Sequence, residues 1–194
     1  MGHTRFATQG SHKKNDNNHP FPGKADKAFA FAHNGVLYND VLLRRQEQLP
    51  DTAIETDSYI AVQLLEKYGH LDMQSLQSMA EAVCGSFVFT LLDEDDTLYL
   101  IKGANPLLLI HFETLGLYVY ASTGSILKTA LQRVGLLKEP FTVLETSEGD
   151  ILRIDKTGSV SSSAFRVSSW DYYRIGATGY SPALQIMESM RRYF

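Results

Sequence analysis

The chain is poor in the residues that several common chemistries require. It holds one cysteine, Cys84, in 194 residues, so no intramolecular disulfide can form. A reducing, cytoplasmic setting is the simplest reading. The histidines at 3, 12, 19, 33, 70 and 111 show no H-x-x-x-H spacing. With a single thiol beside them, the sequence spells no metal site. Apolar runs stop short of the ~18 residues a membrane helix needs, and the N-terminus has no apolar signal core. The myristoylation pattern fails, because Phe6 stands where Ser or Thr is required. No G-x-x-x-x-G-K-[ST] phosphate loop occurs. Clustered basic residues are scarce too: Lys13–Lys14 is the only dense pair and the net charge is −4. That composition argues against nucleic acid as a main partner. No cofactor and no metal is implied.

What remains is an ordinary globular composition, 44% hydrophobic and 21% charged. A chain of this length buries roughly 70% of its unfolded surface and folds without staples. Residues 11–27 are polar, with two prolines, and read as a loop. "AFAFAHNG" reads as a strand meeting a turn at Asn34–Gly35, where positive φ is needed. Residues 39–48, 56–68 and 72–83 read as helices. Thr56 is the expected cap of the second and Asp72 of the third. From residue 86 the period changes. "SFVFTLLDEDDTLYLIKG" and "PLLLIHFETLGLYVYAS" each spell a hairpin, "SILKTALQRVG" a helix with a glycine stop, and residues 141–166 three further strands. Strands in consecutive hairpins and helices in blocks predict an α+β fold of antiparallel sheets with helices outside. Residues 167–194 differ in character: an aromatic loop precedes a helix with an Ala183–Met187–Met190–Phe194 stripe. We read 1–166 as one domain and 167–194 as a C-terminal extension.

Three groups could carry chemistry. In "GHTRFATQG", Arg5 ends a strand beside hydroxyl and backbone donors, where its fork could clamp a carboxylate. A structural salt bridge explains it equally. In "AHNGVLYN", the Asn34 amide beside the Gly35 N–H offers two convergent donors that suit a developing oxyanion. Asn-Gly is also a common turn dipeptide. In "ETDSY", Asp57 sits in the first turn of a helix, where it could hold an ammonium or only favour the helix dipole.

Taken in order and spacing, these groups resemble the glutaminase domain of the class II (N-terminal-nucleophile) glutamine amidotransferases. That family's "GHTR", "N..P", "HNG" and "(E)TD(S/T)" motifs correspond to GHTRFATQG, NNHPF, AHNGVLYND and ETDSY here. The later "CGSFVFTLL" and "YVYASTGSIL" stretches are similar as well, and the resemblance covers roughly residues 1–166. It implies an αββα four-layer sandwich, like that of the N-terminal-nucleophile hydrolases. It implies L-glutamine as the small-molecule partner, with Arg5 and Asp57 gripping its carboxylate and ammonium. Thr8 and His19 would line the pocket, Asn34 and Gly35 would form the oxyanion hole, and residues 11–27 would border the entrance.

The family's nucleophile is a cysteine at the mature N-terminus, whose own α-amine, with a pKa near ~8, serves as base. No such cysteine opens this sequence. Cys84 lies between a helix and a strand, has no free amine, and reads as a buried structural residue. The resemblance therefore implies an N-terminally truncated domain, inactive as a glutaminase by itself. The alternative is a non-catalytic glutamine-binding or protein-interaction module of the same fold. An uncovered sheet edge would follow in either case, predicting a homo-oligomer or a partner that covers the missing strand.

Overall fold

A computed structural model describes residues 3, 9–11 and 13–167. The elements run β1 (Phe21–Lys24), β2 (Ala28–Leu37), α1 (Asp40–Gln46), α2 (Tyr59–Tyr68), α3 (Met73–Ala82), β3 (Gly85–Asp93) and β4 (Leu98–Lys102). They continue with β5 (Leu108–Phe112), β6 (Leu117–Ala121), α4 (Gly124–Arg133), β7 (Thr142–Leu144), β8 (Asp150–Ile154) and β9 (Val160–Ala164). The helix expected in the C-terminal extension, and Arg5 and Thr8, lie outside the described residues.

The strands form a six-stranded sheet, ordered β1-β2-β3-β4-β8-β9, and a three-stranded sheet, ordered β6-β5-β7. Every pairing is antiparallel. Strand alternation sorts the side chains into layers. Phe29, Phe31 and Leu37 of β2, Phe87, Phe89 and Leu91 of β3, and Tyr99 and Ile101 of β4 face α2 and α3 in one core. Leu100 of β4 and Leu152 and Ile154 of β8 face the other way, onto Leu109, Tyr118 and Tyr120 of the second sheet. Ile110 and Phe112 of β5 then meet Leu127 and Leu131 of α4. The order is helices, sheet, sheet, helix, which is the αββα layering the sequence implied.

The largest core carries most of the stabilisation. Phe21, Phe31, Phe89, Ile60, Leu64, Leu65, Leu76 and Met79 are all fully buried, each worth about 1.5–3 kcal/mol of apolar transfer. Leu76, Met79, Ala80 and Val83, the predicted stripe of α3, are buried. Asp72 caps that helix as expected, accepting from the Ser75 N–H at 2.8 Å. α2 is buried on more than its predicted stripe, with Ala61, Val62 and Gln63 also inside, because it is packed by β1, α1 and α3 together.

Four local expectations are corrected. Asn34 and Gly35 form no turn: β2 continues to Leu37, with Asn34 opposite Val88 and Gly35 opposite Phe87. Gly35 does hold positive φ, +146°, inside the strand, and a Cβ there would meet the Ser86 carbonyl oxygen at 1.9 Å. The reading of positive φ was sound, but a close strand approach requires it rather than a turn. Thr56 does not cap α2, which starts at Tyr59; its buried hydroxyl has no hydrogen-bond partner among the described residues. Residues 11–27 are not all loop, since Phe21–Lys24 pair with Ala28–Phe31. Finally, Cys84 is half-buried rather than buried.

Candidate functional site

β2 supplies the centre of the site, and its pleat divides the labour. Ala32 and Asn34 look into the space between the sheets, together with Val88 and Thr90 of β3. The intervening residues, Phe31, His33 and Leu37, are buried beneath the strand. A cleft of about 260 Å³ opens on the first side, closed opposite by Tyr120, Ala121 and Ser122. That volume suits a metabolite the size of an amino acid better than a drug-sized ligand of ~300–1,000 Å³. Asn34 is exposed at its wall, and its carbonyl accepts from Asn105 Nδ2 at 2.7 Å. Glycine is obligatory beside it, so the backbone N–H of residue 35 is offered without a side chain to screen it.

Asp57 is buried, with 3% of its surface exposed. Its Oδ2 accepts the Leu37 N–H at 2.6 Å. The N-cap position of α2 belongs to Ser58, which makes no side-chain capping bond. Asp57 therefore neither lies in the helix nor caps it. Its carboxylate fastens the end of β2, two residues past Gly35, to the turn that opens α2. Burial pushes the carboxyl pKa up, opposed by the hydrogen bond from Leu37. A cation beside it would be strongly favoured.

His19 stands where the polar loop enters β1. Its ring packs edge-on against His3 with centroids 4.4 Å apart and against Phe21 at 4.6 Å. It also lies 6.4 Å from the His33 ring. His3 donates across the same corner, from Nε2 to the His33 carbonyl oxygen at 2.9 Å. The structure thus gathers Asn34, Gly35, Asp57 and His19 around one strand end. Asn34 and His33 are among the residues that line the inter-sheet cleft, and His19 and Asp57 are not.

Two contributors escaped the sequence reading. Asn17 is fully buried. Its Nδ2 donates to the Ser11 carbonyl and to Glu55 Oε2, each at 3.0 Å, and its Oδ1 accepts the Glu55 N–H at 2.9 Å. Glu55 also accepts the Ser11 N–H at 3.1 Å and pairs with Lys14. Those bonds, Lys14 first, hold the Glu55 carboxyl down at about 2. The polar loop is thereby sewn to the residue just before Thr56–Asp57. Only the abundance of Asn in "NDNN" hinted at this, and abundance does not say which asparagine is inside. The second contributor, His33, was visible within the "HNG" motif itself but was counted only as a histidine. Among the described residues, no group of three His, Cys, Asp or Glu could hold a metal ion. No described helix is long and apolar enough to cross a membrane.

Comparison with known proteins gives this geometry a context. A family model described as a glutamine amidotransferase domain matches residues 3–129. The glutamine–fructose-6-phosphate aminotransferase of Listeria innocua is 28% identical over 198 residues, covering 95% of this chain and 32% of that protein. Its counterpart in Halalkalibacterium halodurans is 31% identical over 165 residues, covering 81% of this chain and 27% of its own. The chain spans about a third of the length of the relatives it matches. Among solved structures, glutamine phosphoribosylpyrophosphate amidotransferase from B. subtilis superposes with a TM-score of 0.67 at 23% identity, over 86% of this chain and 34% of that one. That likeness supports an N-terminal-nucleophile-hydrolase-like α+β fold. With its family model matched over residues 3–129, the chain belongs to the glutamine amidotransferase domain family.

Proposed function

We propose that this domain binds L-glutamine and presents the side-chain amide to Asn34 and Gly35 for the family's reaction, hydrolysis to glutamate and ammonia. The observation that carries the reading is the 2.6 Å bond from the Leu37 N–H to Asp57. It ties the Asp57 carboxylate to the strand that carries Asn34 and Gly35, which supports reading the three as one site. In this reading the substrate's α-ammonium pairs with Asp57. Its carboxylate pairs with Arg5, supported by Thr8, and His19 lines the pocket beside them. When a nucleophile attacks the side-chain amide, negative charge gathers on the amide oxygen. In this reading the Asn34 carboxamide and the Gly35 N–H, on consecutive residues of β2, would receive it without reorganisation.

Cys84 is not that nucleophile. Its backbone nitrogen is an in-chain amide that donates to Asn39 Oδ1 at 2.8 Å, so no α-amine is available to act as base. We assign these residues binding and polarisation of glutamine, and predict no turnover by this polypeptide alone. The acceptor of any ammonia is left to whatever the remaining two thirds of its relatives' length supply. Isothermal titration with L-glutamine tests the proposal: binding that is weakened in Asp57→Asn and unchanged in Cys84→Ala is expected. No heat of binding to the wild-type chain would refute it, and ammonia release that survives Cys84→Ala would refute the assignment of binding without turnover.

A further inference from the structure

The four family motifs meet at one residue that none of the roles above uses. His33 is 3% exposed, in the middle of β2. Its carbonyl oxygen lies 2.9 Å from Nε2 of His3, in the "GHTR" motif. Its ring lies 6.4 Å from that of His19, in the "NNHP" motif. Nδ1 is 2.8 Å from the Ser58 hydroxyl, in the "ETDS" motif. Nε2 is 3.5 Å from the carbonyl oxygen of Ser86, in the "CGSF" stretch. The next two residues are the oxyanion pair, Asn34 and Gly35.

The two ring nitrogens meet different partners. Nε2 is 3.5 Å from the Ser86 carbonyl oxygen, which can only accept. Nδ1 is 2.8 Å from the Ser58 hydroxyl, which itself donates towards Asp57 Oδ1 at 3.5 Å, so Ser58 links the ring to the Asp57 carboxylate. The Ser86 carbonyl that the ring approaches is the same atom that lies against Gly35 Cα. Nε2 itself comes within 2.8 Å of where a Gly35 Cβ would stand. The imidazole fills the space beneath Gly35 and ties it sideways to β3 and downwards to the Asp57–Ser58 turn.

We propose that His33 is a positioning residue for the glutamine site, its neutral imidazole bridging Ser58 and the Ser86 carbonyl so that the Asn34–Gly35 donors keep a fixed place relative to Asp57. The inference rests on the glutamine-binding reading of the same site. Burial and the rim of aromatic rings around it, with Phe89 at a centroid distance of 5.0 Å, keep the ring uncharged. Asp57, reached through Ser58, and His3 and His19 are ionisable groups beside it.

The test compares His33→Leu, His33→Asn and Ser58→Ala in the full chain by glutamine titration and by amide exchange of residues 34–37. Leucine suits the apolar wall of Phe89 but loses both polar bonds. Asparagine packs worse but can still hydrogen-bond Ser58. Positioning predicts that His33→Leu weakens glutamine binding at least tenfold and speeds exchange at Gly35 and Leu37. His33→Asn should recover part of both, and Ser58→Ala should shift both in the direction of His33→Leu. A role in packing alone predicts the reverse ranking, with leucine better than asparagine, and that ranking would overturn the proposal. So would unchanged exchange and affinity in Ser58→Ala, the variant least able to disturb folding. If the wild-type chain binds no glutamine, the binding reading fails, and the exchange ranking still decides whether His33 holds the strand.

Discussion

Lowering the pH from neutrality should destabilise this domain through His33. In the folded chain, burial holds the imidazole pKa down at about 3, with a smaller contribution from nearby His3 and an opposing one from the Ser86 carbonyl. In the unfolded chain it titrates near ~6.5. The folded pKa is the depressed one, so between these values the unfolded state binds a proton that the folded state refuses. Stability is therefore complete above about pH 6.5 and declines as the pH falls towards 3. At pH 5 the unfolded chain lies about 1.5 pH units below its midpoint, and at about 1.4 kcal/mol per unit the loss is about 2 kcal/mol. Two other shifted groups do not mimic this. Glu55, held at about 2 against an ordinary 4.5, contributes stability that fades mainly below pH 4.5. Asp57, whose carboxyl is raised by burial, changes stability in the opposite direction on acidification. Urea unfolding at pH 7.5 and 5.0 on wild type and His33→Leu isolates the effect. The wild type should lose about 2 kcal/mol more than the variant over that interval. Equal losses in the two proteins would show that His33 is accessible to protons in the folded state, and the argument from its burial would be wrong.

Other expectations follow from the same geometry. Gly35→Ala forces a methyl group against the Ser86 backbone at positive φ and should cost about 3 kcal/mol or more in chemical denaturation. Asp57→Ala leaves the buried Leu37 N–H unpaired and should destabilise by about 1–3 kcal/mol, whereas Asp57→Asn keeps an acceptor and should unfold within about 1 kcal/mol of wild type. Both should lower glutamine affinity at least tenfold by calorimetry, because a paired ammonium is worth about 1.5–3 kcal/mol. Asn17→Ala removes two bonds between the polar loop and Glu55 and one within the loop, to Ser11. Limited proteolysis should then cut within residues 11–16 several times faster, and an unchanged rate would show that the loop is held elsewhere.

Much of the architecture was legible because it depends on repeat periods that sequence displays directly. The β3–β4 and β5–β6 hairpins, the stripe of α3 and its Asp72 cap each follow from local spacing. The misread positions were those where a distant group decides. Asn34–Gly35 is a frequent turn dipeptide, and only the approach of the Ser86 carbonyl from β3 shows why glycine is needed mid-strand. Asp57 looked like a helix-dipole residue, yet its carboxylate is bonded to a strand 20 residues earlier. Thr56 had the right chemistry for a cap, but α2 begins three residues later. Asn17 and His33 were readable as polar residues and unreadable as buried ones, since burial of a polar side chain depends on partners 38 and 25 residues away.

The alternation of β2 carries a consequence for how such a site can change. Both Asn34 and His33 border the cleft, but Asn34 is exposed there while the His33 ring packs against Phe89 in the interior, on consecutive residues of one strand. Inserting or deleting a single residue anywhere between Ala28 and His33 would turn the strand over by one pleat. Asn34 would be pointed into the apolar layer and His33 into the cleft, with every other atom of both still present. Length variation should therefore be tolerated near the exposed Asp51 and Ala53, between α1 and α2, and be lethal to this ten-residue strand. A scan of single-residue insertions along the chain would show that boundary as a step rather than a slope.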